Sequence, residues 1–215
     1  MAYASWSVTA LEVPNATKWN ILGTNDSSFN DGTGIANDAI KATHLDWAAT
    51  GANGGIWWEE LGRVSASSGT TMEITSIPAR KYLRIIYIDT GSSANGSDMQ
   101  FNADTGNNYA SARSLAGVAF SVQASISGME VMGNYKGMQQ AITELVNLAN
   151  MEKVAQTQWT TGPQGGTQNS AAQVPAYAIY ANKWANASVQ ITRVKVTRRG
   201  GAFASGSELI VLGHN

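Results

Sequence analysis

Alternation of apolar and polar side chains with a period of two residues is the strongest constraint on the fold of this chain. It recurs through much of the sequence after residue 57, and Gly, Asn, Asp and Ser cluster between the alternating segments. This alternation is the period of a β-strand with one buried face. The clustered residue types favour turns, because they tolerate left-handed backbone or bond to their own backbone. The pattern therefore predicts an all-β protein.

The alternating segments predict eight to ten short strands and contain no strand–helix–strand rhythm. They lie at residues 61–64, 71–77, 82–88, 98–102, 119–126, 129–132, 177–181, 189–197 and 207–212. In the segment 189–197, the alternation places Arg193 and Lys195 on the solvent side. Many short strands with tight turns are typical of sandwiches and jelly rolls. The expected fold class is a jelly-roll β-sandwich at residues 58–215.

Residues 139–151 allow two interpretations. Their apolar side chains fit one face of a helix, but they also fit a hairpin with strands at 141–148 and 154–160. The hairpin is favoured, because the segments on both sides have the period of strands. Residues 162–173 form a polar, glycine-rich stretch that predicts a loop.

The first 57 residues differ from the rest of the chain. Trp and Ile are scattered there among Asn, Asp, Ser and Gly without a sustained period. Such a segment cannot bury its own aromatic side chains, so we interpret residues 1–57 as an extended N-terminal arm and linker that packs on another surface. The candidate assembly and anchoring residues are Trp6, Trp19, Ile21, Leu22, Phe29 and Trp47.

The tryptophans leave three interpretations open. Five of the seven lie in the first 58 residues. They can pack against the base of the sandwich, or anchor the arm to a partner subunit, since Trp is enriched at interface hot spots. They can also form a platform on which sugar rings stack, as in carbohydrate-binding modules.

Charge and cysteine content limit the classes of partner. A formal net charge of -1 gives no electrostatic footprint for nucleic acid or an anionic membrane, and no cysteine is present for disulfides or thiolate metal sites. No apolar run approaches the roughly 20 residues that span a bilayer. Residues 1–9 lack the basic and apolar regions of a secretory signal. We expect synthesis in the cytoplasm, no nucleic-acid or membrane partner, and stabilisation by packing or oligomerisation.

The residues that carry chemistry are few. The two histidines, His44 and His214, lie near no nucleophile motif, and no metal-binding or phosphate-binding motif is present. Residues 25–31 and 89–98 form acidic loops that could offer oxygens to calcium, but Asx-rich turns explain them more simply. Paired carboxylates of a glycosidase stay possible from Glu59, Glu60, Glu73, Glu130, Glu144 and Glu152. We expect no enzyme activity and no cofactor.

Several segments resemble structural proteins of tailed bacteriophages. Residues 18–35, KWNILGTNDSSFNDGTGI, resemble an N-terminal segment of tail-fibre and other virion proteins. The following domain resembles a jelly-roll module of virion proteins in residues 77–83, 101–110, 183–186, 190–192 and 206–214. The resemblance implies a virion component with a jelly-roll body, a homotrimer, and no active site. In that family the region 145–159 is a strand–turn–strand.

These observations lead to two functional hypotheses. The first is a trimeric capsid-decorating protein whose arm anchors it to the shell formed by the major capsid protein. The second is a tail-fibre or receptor-binding tip whose loops, near residues 92–95 or 162–173, contact a cell-surface glycan. Both are structural roles in a virion, and exposed strand edges would favour exchange of arms between subunits.

Overall fold

Twelve β-strands form the part of the chain that the structure, a computed structural model, describes: residues 58–91, 95–135, 137–163 and 174–215. No helix occurs within these ranges. The predicted arm, residues 1–57, lies outside them. The strands are β1 (Glu59–Ala66), β2 (Thr71–Ile74), β3 (Tyr82–Asp89), β4 (Ser97–Phe101), β5 (Tyr109–Leu115), β6 (Ser121–Ile126), β7 (Met129–Met132), β8 (Gln139–Val146), β9 (Lys153–Pro163), β10 (Pro175–Trp184), β11 (Val194–Arg198) and β12 (Ser207–His214).

The strands form two antiparallel sheets. The larger has eight strands in the order β1-β12-β3-β8-β9-β10-β5-β6, and the smaller has four in the order β2-β11-β4-β7. Apolar side chains of both sheets meet in one core. The described residues therefore form a β-sandwich, and the expectation of an all-β fold is confirmed.

The core takes every second side chain of its strands, as the sequence alternation predicts. In β3, Leu83, Ile85 and Tyr87 are buried, while the residues between them are partly exposed. In β11, Val194 and Val196 are buried in the same way. Complete burial of such a side chain stabilises the fold by roughly 1.5–3 kcal/mol. The alternation thus determines which face of each sheet packs against the other sheet.

A chain of buried polar side chains joins β7 to the larger sheet. Asn182 accepts a hydrogen bond from Ser111 Oγ at 2.6 Å, and it donates to Thr157 Oγ1 at 3.0 Å and to the Glu130 carbonyl at 3.1 Å. Ser111 Oγ also accepts from the Glu130 backbone amide at 3.1 Å. Because these buried groups bond to one another, they fix the position of β7 without the cost of unsatisfied polar atoms.

The hairpin predicted around residue 150 is confirmed as β8 and β9, and the helical alternative is wrong. The two strands pair from Gln139–Thr161 to Leu145–Ala155. Asn150 lies in the connecting turn with a φ of 66°, a conformation that Asn tolerates better than most residues. Outside the turn, buried and exposed residues alternate along β8, which is the strand period.

Several predicted strands differ in extent from the structure, among them the following three. The segment 71–77 is a strand only over β2, since Ser76 adopts a φ of 58°. The segment 189–197 is a strand only over β11. Before it, the side chains of Asn102 and Asn147 replace the sheet partner, as Asn102 Oδ1 accepts from the Thr192 amide at 2.8 Å and Asn147 Oδ1 from the Ile191 amide at 2.6 Å. In contrast, β10 extends beyond the predicted 177–181 at both ends.

One strand, β5, is absent from the sequence prediction. Its residues, YASARSL, are mostly small and polar, so they give little β-propensity and no clear alternation. Pairing with β10 on one side and β6 on the other makes the segment a strand. Tertiary context therefore overrides the local signal here.

Candidate assembly surface

The outward face of the larger sheet carries many apolar side chains. Along β8, β9 and β10, the residues between the buried positions include Ile142, Val146, Val154 and Ile179. Val146, Val154 and Ile179 are among the exposed large hydrophobic side chains. These apolar side chains stand among polar ones such as Glu144, Gln156 and Lys183, so the outward face is mixed, whereas the outward face of a half-solvated antiparallel strand is usually polar.

A groove of about 540 Å³ runs across this face. We call it the outer groove. Its lining spans β3, β8, β9 and β10, and consists of Trp58, Tyr82, Leu83, Phe120, Glu144, Leu145, Val146, Val154, Ala155, Gln156, Ile179, Tyr180, Ala181 and His214.

Aromatic side chains form one wall of the outer groove. The His214 ring stacks on Tyr82 with centroids 4.7 Å apart, and Trp58 meets His214 edge to face at 4.6 Å. The Arg84 guanidinium lies 4.6 Å from the centroid of the Trp58 ring and is hydrogen-bonded through Nε to Glu144 Oε1 at 2.7 Å. These contacts hold Trp58 on the outward face, immediately before β1 begins.

The other wall leads to β6, the last strand of the larger sheet. Phe120, which precedes β6, lines the outer groove and is 62% exposed, and Val118 and Val122 are 67% and 75% exposed. Residues 114–129 contain no Asp, Glu, Lys or Arg. We call residues 118–126 the free edge. Exposed strand edges are usually protected by charges, prolines, bulges or a covering segment, and the outer side of the free edge has no charge of its own.

The opposite edge of the same sheet is protected. β1 carries Glu59, Glu60 and Arg63, and its pairing with β12 is interrupted by a bulge between Glu60 and Gly62. Arg63 binds both Glu60 and Glu208, at 2.8 and 3.0 Å. The larger sheet therefore has one charged edge and one uncharged edge, and the pairing of each edge strand contains a bulge.

The carboxylates proposed for a glycosidase are bound to cations instead of to one another. Glu59 binds Arg80, Glu73 binds Arg193, Glu144 binds Arg84, and Glu152 binds Lys183. Glu60 binds Arg63, and Glu130 binds Arg113 and Arg199. The Arg193 hydrogen bond lowers the pKa of Glu73, and the Arg63 hydrogen bond lowers the pKa of Glu60. A catalytic acid needs a raised pKa, so these environments do not favour general-acid chemistry.

The described residues also lack a cluster of His, Asp or Glu side chains suited to a metal ion. Of the two acidic loops, residues 25–31 lie outside the described ranges. In residues 89–98, Asp89 Oδ2 accepts from Arg198 Nε at 2.8 Å, and Asp98 binds Arg199. Arginine side chains thus bind both carboxylates, and the Gly91 amide donates to Asp89 Oδ1. His44 lies outside the described ranges, while His214 packs between Tyr82 and Trp58.

The six candidate anchoring residues all lie in the part of the chain that the structure does not describe. They are Trp6, Trp19, Ile21, Leu22, Phe29 and Trp47. Of the described tryptophans, Trp159 and Trp184 are core residues, and Trp58 stands in the wall of the outer groove. Core packing therefore explains two tryptophans, and the interpretations of the arm stay predictions.

Sequence reasoning missed the outer groove and the free edge. Two signals point to them. The outward positions of the predicted hairpin carry Val146 and Val154 where polar residues belong, and a sixteen-residue stretch without charge surrounds the predicted strand at 119–126. The wall formed by Tyr82, Trp58 and His214 has no sequence signal, because these residues meet only when β1, β3 and β12 pair.

Comparison of the chain with protein-family models, with curated proteins and with solved structures finds no match. The described residues include no helix long and apolar enough to cross a membrane.

Proposed function

We propose that this protein is a structural accessory protein of a tailed-phage virion, a trimeric capsid-decorating subunit whose N-terminal arm anchors it to the major capsid protein. It acts by assembling and performs no catalysis. The single observation that carries this proposal is the exposed apolar surface formed by the outer groove and the free edge. Exposed apolar patches of this kind mark interaction sites. The phage-like segments of the sequence support the same class of protein.

A jelly-roll body is part of the proposal, and the strand order supports it. Two pairs of neighbouring strands, β5–β6 and β9–β10, can be set aside. The larger sheet then retains β1-β12-β3-β8, and the smaller has β2-β11-β4-β7. Renumbered one to eight along the chain, these sheets read 1-8-3-6 and 2-7-4-5. That is the order of an eight-stranded jelly roll, which is common in viral capsid and lectin domains. β5–β6 and β9–β10 would then be insertions that widen one sheet.

Imaging of the particle tests the location. Phage particles with and without this protein would be compared by cryo-electron microscopy, and the expected difference is density at symmetry-related sites on the capsid shell. Protein lacking residues 1–57 is expected to lose binding to particles that lack the subunit, while the full chain rebinds. Density confined to the tail tip would contradict the decorating role.

A tail-fibre tip that binds glycan is the second candidate. The outer groove favours it through one feature, the indole ring of Trp58 beside the polar groups of Arg84, Glu144 and Gln156. Aromatic rings that stack on sugars beside hydrogen-bonding side chains are typical of carbohydrate sites. A glycan array with the full chain and with Trp58→Ala tests it, and loss of a specific signal in the variant would support this role.

A further inference from the structure

The free edge and the outer groove adjoin at Phe120, so a single contact can bury both. Seven apolar side chains of this combined surface are each exposed by between 40% and 75%. They are Val118, Phe120, Val122, Val146, Val154, Tyr177 and Ile179. Such side chains can contribute to the roughly 800 Å² that each partner buries in an interface of standard size.

The chemistry of the free edge favours a polypeptide as its occupant. β6 pairs with β5 on one side only, so the backbone groups on its other side have no strand partner in the described chain. The pairing with β5 is regular from Ser121 to Ala124, and its bulge lies at the end of β6 near Ser125. A further strand satisfies these backbone groups, whereas a small ligand or a lipid surface does not.

The absence of charge at the free edge favours another copy of this chain as the occupant. Two identical surfaces that meet bring like charges together unless the surface is uncharged, and residues 114–129 contain no charged side chain. The β1 edge of the same sheet, in contrast, carries the charged side chains of Glu59, Glu60 and Arg63. The molecule therefore protects one edge against self-association and leaves the other open to it.

We infer that copies of this chain meet at the free edge, with Phe120 and Val122 at the centre of the contact and the outer groove buried at its side. This inference rests on the proposed assembly function and adds the surface through which the oligomer forms. One open strand edge can pair with only one other edge, so the β6 strands of two copies pair with each other, and the contact joins chains in pairs in place of a three-fold arrangement. Val118 and Tyr177 extend the contact.

Thiol accessibility tests the inference directly, since the full chain contains no cysteine. Val122→Cys places a thiol on the free edge, and Val189→Cys is the matched control on the loop between β10 and β11. Both valines are exposed in the single chain, at 75% and 44%. In the oligomer we expect maleimide to label Cys at 122 at least tenfold more slowly than Cys at 189, and dilution to the monomer should remove the difference.

A charge variant provides the second measurement. Val122→Asp combined with Phe120→Asp should convert the oligomer to monomer in mass measurements by light scattering, whereas Val189→Asp should leave the mass unchanged. Circular dichroism and thermal unfolding establish that each variant is folded. A folded double variant with the wild-type mass would overturn the inference, and so would rapid labelling at residue 122 in the oligomer.

The remaining outcomes separate the inference from the proposed function. Slow labelling at residue 122 in a protein that is monomeric at every concentration would mean that the edge is covered within one chain, and the inference would be wrong. A wild-type monomer that still binds capsids would also refute it, while leaving the decorating role intact. If the double variant is monomeric because it no longer folds, the single variant Val122→Asp is measured instead, since Val122 does not line the outer groove.

Discussion

Asp89 and Arg198 form an ion pair that joins the ends of β3 and β11, one strand from each sheet. Asp89 Oδ2 and Arg198 Nε are 2.8 Å apart, and both side chains are almost completely buried. Arg198 Nη1 also donates to the Ala202 carbonyl at 2.6 Å, and Asp89 Oδ1 accepts from the Gly91 amide at 2.8 Å. A buried pair of this kind fixes geometry, while removal of one partner leaves a charge in a medium that solvates it poorly.

Asp89→Ala should therefore lower the free energy of unfolding by about 3–5 kcal/mol, because Arg198 loses its buried carboxylate. Glu152→Ala is the control, since the Glu152–Lys183 pair is about half exposed and such pairs contribute at most about 1 kcal/mol. Urea unfolding of both variants measures the difference. Equal, small losses would show that the buried pair contributes no more than a surface pair.

Asp104 ties the turn after β4 to the core. Its Oδ2 accepts from Trp184 Nε1 at 2.7 Å, and its Oδ1 accepts from the Gly106 amide at 2.9 Å. Burial opposes ionisation of Asp104, but the donors from Trp184, Asn108 and Gly106 outweigh it, so the pKa lies below its ordinary value. A carboxyl group with a lowered pKa stabilises the fold above its unfolded pKa and loses this effect as the pH falls through its folded pKa.

Asp104→Asn should remove this pH dependence. The wild-type protein is expected to exceed the variant in unfolding free energy by a constant amount above about pH 5, and the difference should shrink below about pH 4, where an unfolded Asp takes up its proton. Denaturant unfolding from pH 2.5 to 7, followed by tryptophan fluorescence, measures it. A difference that grows as the pH falls would contradict the lowered pKa.

At the scale of elements, the predictable strands are those whose own residues carry the pattern. β3 and β12 were predicted because β-branched and apolar residues fill them, and the hairpin β8–β9 because its alternation agrees with the strand period. β5 was missed because small residues give no pattern, and its partners determine its structure. The alternation of residues 189–193 predicts a strand. In the structure, however, the Ile191 amide donates to the side chain of Asn147, which is remote in sequence, and not to a neighbouring strand.

Asn147 binds the backbone at Ile191, within the segment that the sequence predicts as a strand. It is fully buried, its Oδ1 accepts from the Ile191 amide, and its Nδ2 donates to the carbonyls of Arg80 and Ile191 at 3.2 and 3.3 Å. Asn147→Ala should cost about 2–3 kcal/mol in unfolding free energy, because buried backbone groups lose their partners. Val146→Ala, at the adjacent exposed position, should cost under about 1 kcal/mol. Thermal unfolding compares them, and equal losses would contradict the bracing role of the amide.

At the scale of the whole molecule, the sequence indicates a sandwich but not which surface of it is used. The strand period separates inward from outward positions, so the core follows from the sequence. The outer groove depends on the neighbours of each strand, and Trp58, Val154 and Phe120 come together only through the strand order. The sequence predicts assembly through the arm, residues 1–57. The described domain adds an exposed apolar surface of its own.

Hydrogen exchange should report how stability is distributed over the larger sheet. β3, β8 and β9 each have a strand on both sides, whereas β1 and β6 have one neighbour. In dilute protein we expect the slowest amide exchange in β3 and β8, and the fastest in β6, since edge strands open with a lower free energy than central ones.

Raising the protein concentration should then slow exchange in β6 and leave β1 unchanged. Self-association through the free edge gives the β6 backbone a new partner, while the charged β1 edge gains none. Oligomers also gain stability by mass action, and that effect slows exchange throughout the cooperatively unfolding core. Mass spectrometry of peptides from each strand separates the two effects. Uniform slowing would indicate general stabilisation, whereas slowing confined to β6 requires that its open edge is paired.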